Sequence, residues 1–184
     1  MATSQSSCSR PSVSKHVTSA GIRCLGWSPD GALLALGMMD ANVSLRDARG
    51  TEVRRISLSS RVSTLQWSPT GSAPVLAIGC GDQTLSFYDE HGKQQGSDVP
   101  LGISPCCISY GAGDEHLCLG GSDGSATLLR WDGVHLSRST ERPGTSVRSC
   151  AIRSAASSAD SHVAIGCDDG TISMLRVKGA EVEL

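Results

Sequence analysis

The sequence predicts an all-β fold of about four similar units, each built from four short antiparallel strands. An apolar, small and apolar triplet that runs into a Gly, with an Asp three residues after that Gly, occurs at four places, and the steps between these glycines are 42, 41 and 46 residues. A fixed period of this size is typical of repeat architectures. A triplet of apolar, hydroxyl-bearing and apolar residues follows each Asp. This alternation, with a period of two, is typical of a β-strand.

The first predicted strand of a unit is an apolar stretch that ends at an aromatic residue. Three such stretches occur, at residues 22–27, 62–67 and 107–110. The first two are followed by the tetrapeptides Ser-Pro-Asp-Gly and Ser-Pro-Thr-Gly at residues 28–31 and 68–71. Pro and Gly in such clusters mark turns. The stretches are therefore predicted to be strands that turn back into the next part of the unit.

The second predicted strand is an apolar, small and apolar triplet that runs into a Gly. The Asp after it favours a turn through its side-chain acceptor. A further Gly, ten residues after each Asp, lies where a third turn is needed, because Gly adopts a positive φ without steric cost. We predict that these residues shape the turns, and that a β-branched residue after the second-strand triplet would strain any turn with a positive φ. The predicted turn residues are Gly37, Asp40 and Gly50, then Gly79, Asp82 and Gly92, then Gly120, Asp123 and Gly133, then Gly166, Asp169 and Gly179.

A four-stranded unit with a period near 42 residues resembles the blade of a WD-repeat β-propeller. In this resemblance, the Asp between the second and third strands matches the turn Asp of the family. The Trp-Asp pair that names the family is degenerate, and the family's hydrogen-bond network is mostly absent. The remaining candidate pair of that network is His16 with Asp40. At the position of the Asp in the Trp-Asp pair, this sequence has Asp47, Asp89, Arg130 and Arg176.

The resemblance implies a partial β-propeller at residues 12–184, after a Ser-rich segment at 1–11 that we expect to be disordered. A polar segment at 154–161 is expected to be a surface loop. A blade buries both faces against its neighbours, so an open arc of four would leave two apolar faces uncovered. We therefore expect the isolated chain to aggregate or to associate through its first and last blades. The predicted blades cover residues 20–57, 61–98, 104–140 and 146–184.

The composition narrows the possible functions. The chain has 184 residues, a net charge of −2 and 3% aromatic residues, which gives no basic surface for nucleic acid or anionic lipid. No apolar run approaches the ~18 residues of a membrane span, and no secretory signal is visible, so we expect a cytoplasmic protein. The eight cysteines include no C-x-x-C pair. We interpret them as small apolar side chains, and we predict no metal and no cofactor.

One short motif favours a different class of function. Residues 120–124 match the G-x-S-x-G pattern in which a Ser hydrolase places its nucleophile, and Ser122 would be that nucleophile. The pattern needs a turn from a strand into a helix. Here it aligns with residues 37–41, in a predicted turn between two strands, and the five histidines follow no metal-ligand spacing. The sequence therefore predicts a protein that is not an enzyme, with a hydrolase as the alternative from another class.

Several segments are similar to one part of the intraflagellar transport protein 122 family, and residues 105–110, with the sequence Pro-Cys-Cys-Ile-Ser-Tyr, are the most specific of them. The match runs over roughly residues 12–176 and corresponds to part of the family's first propeller. The resemblance implies a scaffold subunit of intraflagellar transport complex A, which acts in retrograde transport and cilium assembly. The implied partners are the other complex A subunits and, indirectly, a tubby-like adaptor and the retrograde dynein. The implied locations are the cytoplasm, the cilium or flagellum and the basal body. The alternative is a WD-repeat adaptor of another complex, such as a coat or a ubiquitin-ligase receptor.

Overall fold

The computed structural model describes residues 14–70, 73–111, 116–131, 136–141, 145–154, 160–178 and 181–183. All regular secondary structure in these ranges is β, which confirms the predicted all-β class. They contain no helix, and so none that could cross a lipid bilayer. The segment at 1–11, expected to be disordered, lies outside the described residues, as do the predicted turn residues Gly133 and Gly179.

The strands form four antiparallel sheets, and each sheet takes four consecutive strands in chain order. We call these sheets blades one to four. Blade one contains β1 (Ile22–Trp27), β2 (Leu33–Met38), β3 (Asn42–Asp47) and β4 (Glu52–Ser57). Blade two contains β5 (Val62–Trp67), β6 (Val75–Cys80), β7 (Thr84–Asp89) and β8 (Val99–Pro100). Blade three contains β9 (Pro105–Tyr110), β10 (His116–Gly121), β11 (Ala126–Trp131) and β12 (Leu136–Glu141). Blade four contains β13 (Val147–Ser154), β14 (Asp160–Cys167), β15 (Ile172–Lys178) and β16 (Glu181–Glu183).

Each blade has the same register, so residues at matching positions can be compared across blades. In blade one, Leu25 pairs with Leu36 and Cys24 pairs with Gly37. In blade two, Leu65 pairs with Ile78 and Thr64 with Gly79 in the same way. Directly paired residues point to the same side of a sheet, and successive residues point to opposite sides. Each blade therefore has two apolar faces.

The hydrophobic cores lie between successive blades rather than within one blade. The first strands of neighbouring blades pack side by side, β1 on β5, β5 on β9 and β9 on β13. Between blades one and two, Val43 and Leu45 are buried together with Leu65 and Trp67. Two further clusters fill the other two interfaces. The fold is thus an arc in which every blade depends on its neighbours for burial.

The glycines after the second-strand triplets have a different role from the one predicted. Gly37 lies inside β2, where it pairs with Cys24 on one side and Val43 on the other, and its φ is not in the left-handed region. A Cβ on Gly37 would lie 2.5 Å from Cys24 Sγ and 2.7 Å from Cγ1 of Val62 in the next blade. Gly79, Gly120 and Gly166 also lie within strands. A side chain at Gly37 would collide with blade two, so the glycine is what allows the two blades to approach closely. Strand pairing keeps its backbone extended, and no turn begins at this residue.

The left-handed position of the turn is instead the residue after the Asp. Its φ is +62° at Ala41, +68° at Gln83, +83° at Gly124 and +82° at Gly170. Blades three and four use Gly at this position, whereas blades one and two place an L-residue in a conformation that disfavours a Cβ. Local backbone strain is therefore concentrated in the first two of these four turns.

We expect Ala41→Gly to raise the free energy of unfolding by about 0.5–1 kcal/mol. The strain of the left-handed conformation that Gly relieves is larger than the extra conformational entropy that Gly gives the unfolded chain. Gly170→Ala, at the matching position of blade four, should lower it by about 1 kcal/mol. A Cβ on Gly170 has no atom within 4 Å, so this variant isolates the backbone effect. Urea unfolding of both variants is the measurement, and changes of the same sign would contradict the explanation.

Candidate interaction surface

The turns between second and third strands, together with the connections between blades, form one edge of the arc, which we call the Asp-turn edge. In blade two, Asp82 accepts a hydrogen bond from Thr84 Oγ1 at 2.7 Å and one from Ser59 Oγ at 3.1 Å. In blade four, Asp169 accepts from the backbone N–H of Thr171 at 2.9 Å and from its hydroxyl at 2.6 Å. These hydrogen bonds lower the pKa of both carboxyl groups. The two carboxylates are therefore ionised at neutral pH and close their own turns.

The other two turns between second and third strands at this edge are also closed by hydrogen bonds of a polar side chain. In blade three, Asp123 accepts from the backbone N–H of Ser125 at 3.0 Å and from its hydroxyl. In blade one, the residue two positions after Asp40 is Asn42, which donates through Nδ2 to the backbone carbonyl of Asp40 at 3.1 Å. A polar side chain two residues after the Asp thus accompanies every one of these turns.

At the opposite edge of the arc, the turns between third and fourth strands in blades one and two share another geometry. Asp47 Oδ1 accepts from the backbone N–H of Arg49 and Thr51 at 2.9 and 2.8 Å. Asp89 accepts in the same way from His91 and Lys93. Gly50 and Gly92 complete these turns with φ values of +84° and +74°. At the Asp position of the family's Trp-Asp pair, Asp47 and Asp89 therefore each close the turn after the third strand.

The candidate pair of His16 with Asp40 is not formed. A Cβ on Gly50 would lie 2.6 Å from atoms of the His16 ring, which places the imidazole against the turn after β3. Asp40 lies in the turn before β3, at the other end of that strand. The physical reason is that residues 14–18 form no strand beside blade one, so His16 is not held near the Asp-turn edge.

A hydroxyl in the middle of the third strand donates instead to a carboxylate from the end of the unit. Ser44 Oγ lies 2.7 Å from Glu52 Oε2 in blade one, and Ser86 Oγ lies 2.6 Å from Asp98 Oδ1 in blade two. Both serines are buried, so each hydroxyl needs a partner. Sequence reasoning missed these pairs, because the acid stands eight residues after the Ser in one blade and twelve in the other. The alternation of Ser with apolar neighbours was the available signal.

Glu52 is the most strongly perturbed carboxyl group of this kind. Hydrogen bonds from Arg55 and Ser44 lower its pKa from the usual 4.5 to about 2. Arg55 donates to both carboxylate oxygens at 2.9 Å, and Arg46 lies 3.8 Å away. A carboxyl group with a lowered pKa stabilises the fold above its unfolded-state pKa, and this stabilisation is lost as the pH falls through the folded-state value.

We expect Glu52→Gln to flatten the pH dependence of stability between pH 4.5 and about 2, because the neutral amide cannot take up the proton that weakens these contacts in the native protein. The native chain should lose stability over this range, and the variant should lose less. Urea unfolding midpoints at pH 5 and pH 2.5 provide the measurement. An identical loss in both proteins would show that Glu52 does not contribute to acid sensitivity.

Cysteines in the strands contribute to the hydrophobic clusters between the blades. Cys107 of β9 and Cys150 of β13 face each other across the interface of blades three and four, with a distance of 3.3 Å between their Sγ atoms. The hydrogen bond to Cys150 and burial raise the pKa of Cys107, so the thiol stays neutral. Within the described ranges, no group of three or more His, Cys, Asp or Glu side chains could hold a metal ion.

Ser122 lies in the turn between β10 and β11 and is exposed. Its backbone N–H donates to the carbonyl of Ser104 at 3.1 Å. The segment after this turn is a strand, Ala126–Trp131, and not the helix that a nucleophile elbow requires. No hydrogen bond joins the Ser122 side chain to a histidine in the described part of the chain. Among the described residues, the structure therefore places no histidine that could activate Ser122.

The outward face of blade one carries uncovered apolar side chains. Leu25 and Trp27 on β1 are 60% and 50% exposed. The residues at the matching positions of blade two, Leu65 and Trp67, are 7% and 4% exposed because blade one covers them. The sequence alone does not distinguish the two pairs. They differ in whether a blade packs in front of them.

The outward face of blade four is uncovered in the same manner. Ile172 and Met174 on β15 are 76% and 57% exposed. Val43 and Leu45, at the matching positions of blade one, are fully buried under blade two. Blades one and four of the described arc therefore each expose apolar side chains at positions that are buried in blade two or blade one.

Comparison with known proteins agrees with the fold and the repeats. Residues 12–70 match the family model described as the anaphase-promoting complex subunit 4 WD40 domain. The chain is 42% identical over 137 residues to the intraflagellar transport protein 122 homolog of Danio rerio. It is 41% identical over 131 residues to that of Mus musculus and 40% identical over 131 residues to that of Xenopus tropicalis. These matches cover 68–71% of this chain but only 11–12% of each relative.

Proposed function

Because the chain is a WD-repeat protein similar to intraflagellar transport protein 122 homologues, we propose that it is a non-catalytic scaffold in intraflagellar transport complex A. Its role would be in retrograde ciliary transport and cilium assembly, at the cilium and basal body and in the cytoplasm. Its direct partners would be other complex A subunits. A tubby-like adaptor and the retrograde dynein would be reached indirectly. The observation that supports this most is the identity of 40–42% over about 70% of the chain.

The geometry of the polar residues supports a scaffold rather than an enzyme. Asp82 and Asp169 are engaged in closing their own turns. Ser122 has no helix behind it and no histidine hydrogen-bonded to its side chain among the described residues. A catalytic site needs a nucleophile or acid within hydrogen-bonding reach of a group that activates it. The described turns instead present backbone and fixed carboxylates, which suit protein contacts.

The Asp-turn edge is the surface that we assign to partner contacts in this role. It is formed by loops, and binding residues are often carried on loops that a rigid scaffold positions. Met39 extends from it with 67% of its surface exposed, next to the turn of Asp40. Tyr, Trp, Phe, Met and Arg are enriched in protein interfaces. The proposal is that this edge contacts another subunit of the complex.

The test is affinity purification of the tagged chain from ciliated cells, followed by mass spectrometry. We expect complex A subunits among the recovered proteins, and we expect Met39→Glu to reduce their recovery without changing the melting temperature. Val53→Glu is the matched control, since Val53 is 44% exposed on β4 and is not in an Asp turn. Absence of all complex A subunits from the native bait would contradict the proposed function.

A second candidate is a WD-repeat adaptor of another complex, such as a coat or a ubiquitin-ligase receptor. The observation in its favour is the family model matched by residues 12–70, which describes a subunit of the anaphase-promoting complex. The same purification distinguishes the two candidates. Recovery of subunits of one other complex, in place of complex A, would favour the second.

A further inference from the structure

Two cysteines of different blades face each other where blades three and four meet. Cys107 lies on β9 and Cys150 lies on β13, and these two first strands pack side by side. The Sγ atoms of the two residues are 3.3 Å apart. Both side chains pack at the border of the hydrophobic cluster between the blades, and both are only partly buried. The pair is therefore a contact between two free thiols that small molecules from the solvent can reach.

Hydrogen bonds around the pair hold the two strands in a fixed register. Two residues further along each strand, the backbone N–H of Ile152 donates to Ser109 Oγ at 3.2 Å. The thiol of Cys150 donates to the backbone carbonyl of Cys118 at 3.5 Å, on the strand that pairs with β9. The packing of the two blades thus determines where the thiols of Cys107 and Cys150 lie.

The same two positions carry other residues at the neighbouring contact between blades. In the strand register, Cys107 takes the place that Thr64 has in blade two. Cys150 takes the place that Leu65 has in blade two and Ile108 in blade three. Since Leu and Ile cannot form a covalent bond across the contact, only the contact of blades three and four pairs two thiols.

From this arrangement we propose that Cys107 and Cys150 form a disulfide bond when the protein meets a peroxide. Both side chains already face the same interface, and rotation of the two side chains brings the sulfur atoms to the bonding distance of about 2 Å. The bond joins blades three and four covalently, in addition to their apolar packing. In a reducing compartment such a bond is transient, because thiols reverse it by exchange.

The reaction takes two steps and consumes one peroxide. One thiol attacks a peroxide oxygen, and the O–O bond breaks to give a sulfenic acid and one water. The other thiol attacks the sulfenic sulfur, the S–O bond breaks, and the hydroxyl leaves with the thiol proton as a second water. Two thiols are oxidised to one disulfide, and hydrogen peroxide is reduced to two waters. The hydrogen bond to Cys150 and burial raise the pKa of Cys107, so the reactive thiolate is scarce and the oxidation is slow at neutral pH.

The test starts from the reduced, purified protein, which is exposed to millimolar hydrogen peroxide for hours at pH 8 and then alkylated. Cleavage after Glu115 and Arg148 separates the peptide of Cys107 from those of Cys118 and Cys150. We expect mass spectrometry to find the peptides of Cys107 and Cys150 linked and lighter by two hydrogen atoms. Because the bond closes a loop of 43 residues, the melting temperature should rise by about 5–10 °C and return after treatment with dithiothreitol.

Variants that use residues from the other blades remove one thiol at a time and keep the fold. Cys107→Thr introduces the residue that blade two has at this position, and Cys150→Leu does the same at the facing position. Each should abolish both the linked peptides and the rise in melting temperature. Cys106→Ser is the matched control, because the Cys106 thiol points to the backbone carbonyl of Ser104 at 3.8 Å, and this variant should still form the bond.

Several results would overturn the proposal. One is a protein in which Cys107 and Cys150 are both still alkylated after hours in peroxide. Another is oxidation of either residue to a sulfinic acid without linked peptides. A bridge that contains Cys106 or Cys118, or a bond found only between different molecules in non-reducing electrophoresis, would equally show that the facing thiols do not form the bond.

Discussion

Replacement of Gly79 by Val is expected to lower the free energy of unfolding by about 3 kcal/mol. A Cβ at this position would lie 2.7 Å from Pro105 Cγ and 3.0 Å from Thr64 Cγ2. Pro105 starts the first strand of blade three, and its ring cannot rotate away, so blades two and three would have to move apart. The cost comes from overpacking between blades and not from the backbone, since Val is well suited to an extended strand.

Gly166→Val is the matched control for this substitution. Gly166 has the same place in blade four, but its Cβ would meet only Ser149 Oγ, which is the end of a side chain that can rotate. We expect this variant to lose less than about 1 kcal/mol in dilute solution. Urea unfolding followed by circular dichroism gives both values. A Gly79→Val protein with an unchanged midpoint would refute the role of close blade packing.

Truncation of Trp67 to Ala is expected to cost about 3–5 kcal/mol, the range found for large aromatic side chains in cores. Trp67 is 4% exposed and belongs to the core between blades one and two, together with Leu65 and Ile78. Its removal leaves a cavity that two separate sheets cannot easily close. The measurement is the unfolding free energy at a concentration low enough to keep the chain monomeric.

Trp27→Ala provides the comparison within the same chain. Trp27 matches Trp67 in position but is 50% exposed, so its truncation should cost less than about 1 kcal/mol in the monomer. Trp67→Phe should also be mild, because it keeps most of the apolar surface and removes the buried Nε1–H, which has no hydrogen-bond partner among the described residues. Equal losses for the two Trp-to-Ala variants would mean that blade one does not cover Trp67.

Much of the fold could be predicted from the sequence because its signals are local. Strand positions follow from alternation over three to six residues, and the period follows from the spacing of Gly and Asp. The alternation and the Gly–Asp spacing are present in all four blades, even though the Trp-Asp pair of the family is degenerate. The Asp residues were predicted to lie in turns for the same reason, since an Asp acts on the backbone two to four residues away.

The features that the sequence did not reveal depend on contacts between distant residues. Gly37 and Gly79 were assigned to turns, because nothing in a single blade shows that Val62 or Pro105 will press against them. His16 was paired with Asp40 on family resemblance, and the structure places its ring against Gly50. The left-handed residue after the Asp was missed because Ala41 and Gln83 give no local sign of a positive φ.

The position of the three cores between blades also determines how the chain comes apart. A detached blade loses the burial of every face that a neighbour covers, so no single blade is a cooperative unit. Stability accumulates from nearest-neighbour contacts, as in linear repeat arrays. Blades two and three each have two such contacts, whereas blades one and four have one. Amide hydrogens should therefore exchange first in blades one and four and last in blades two and three, because local unfolding begins at the two end blades.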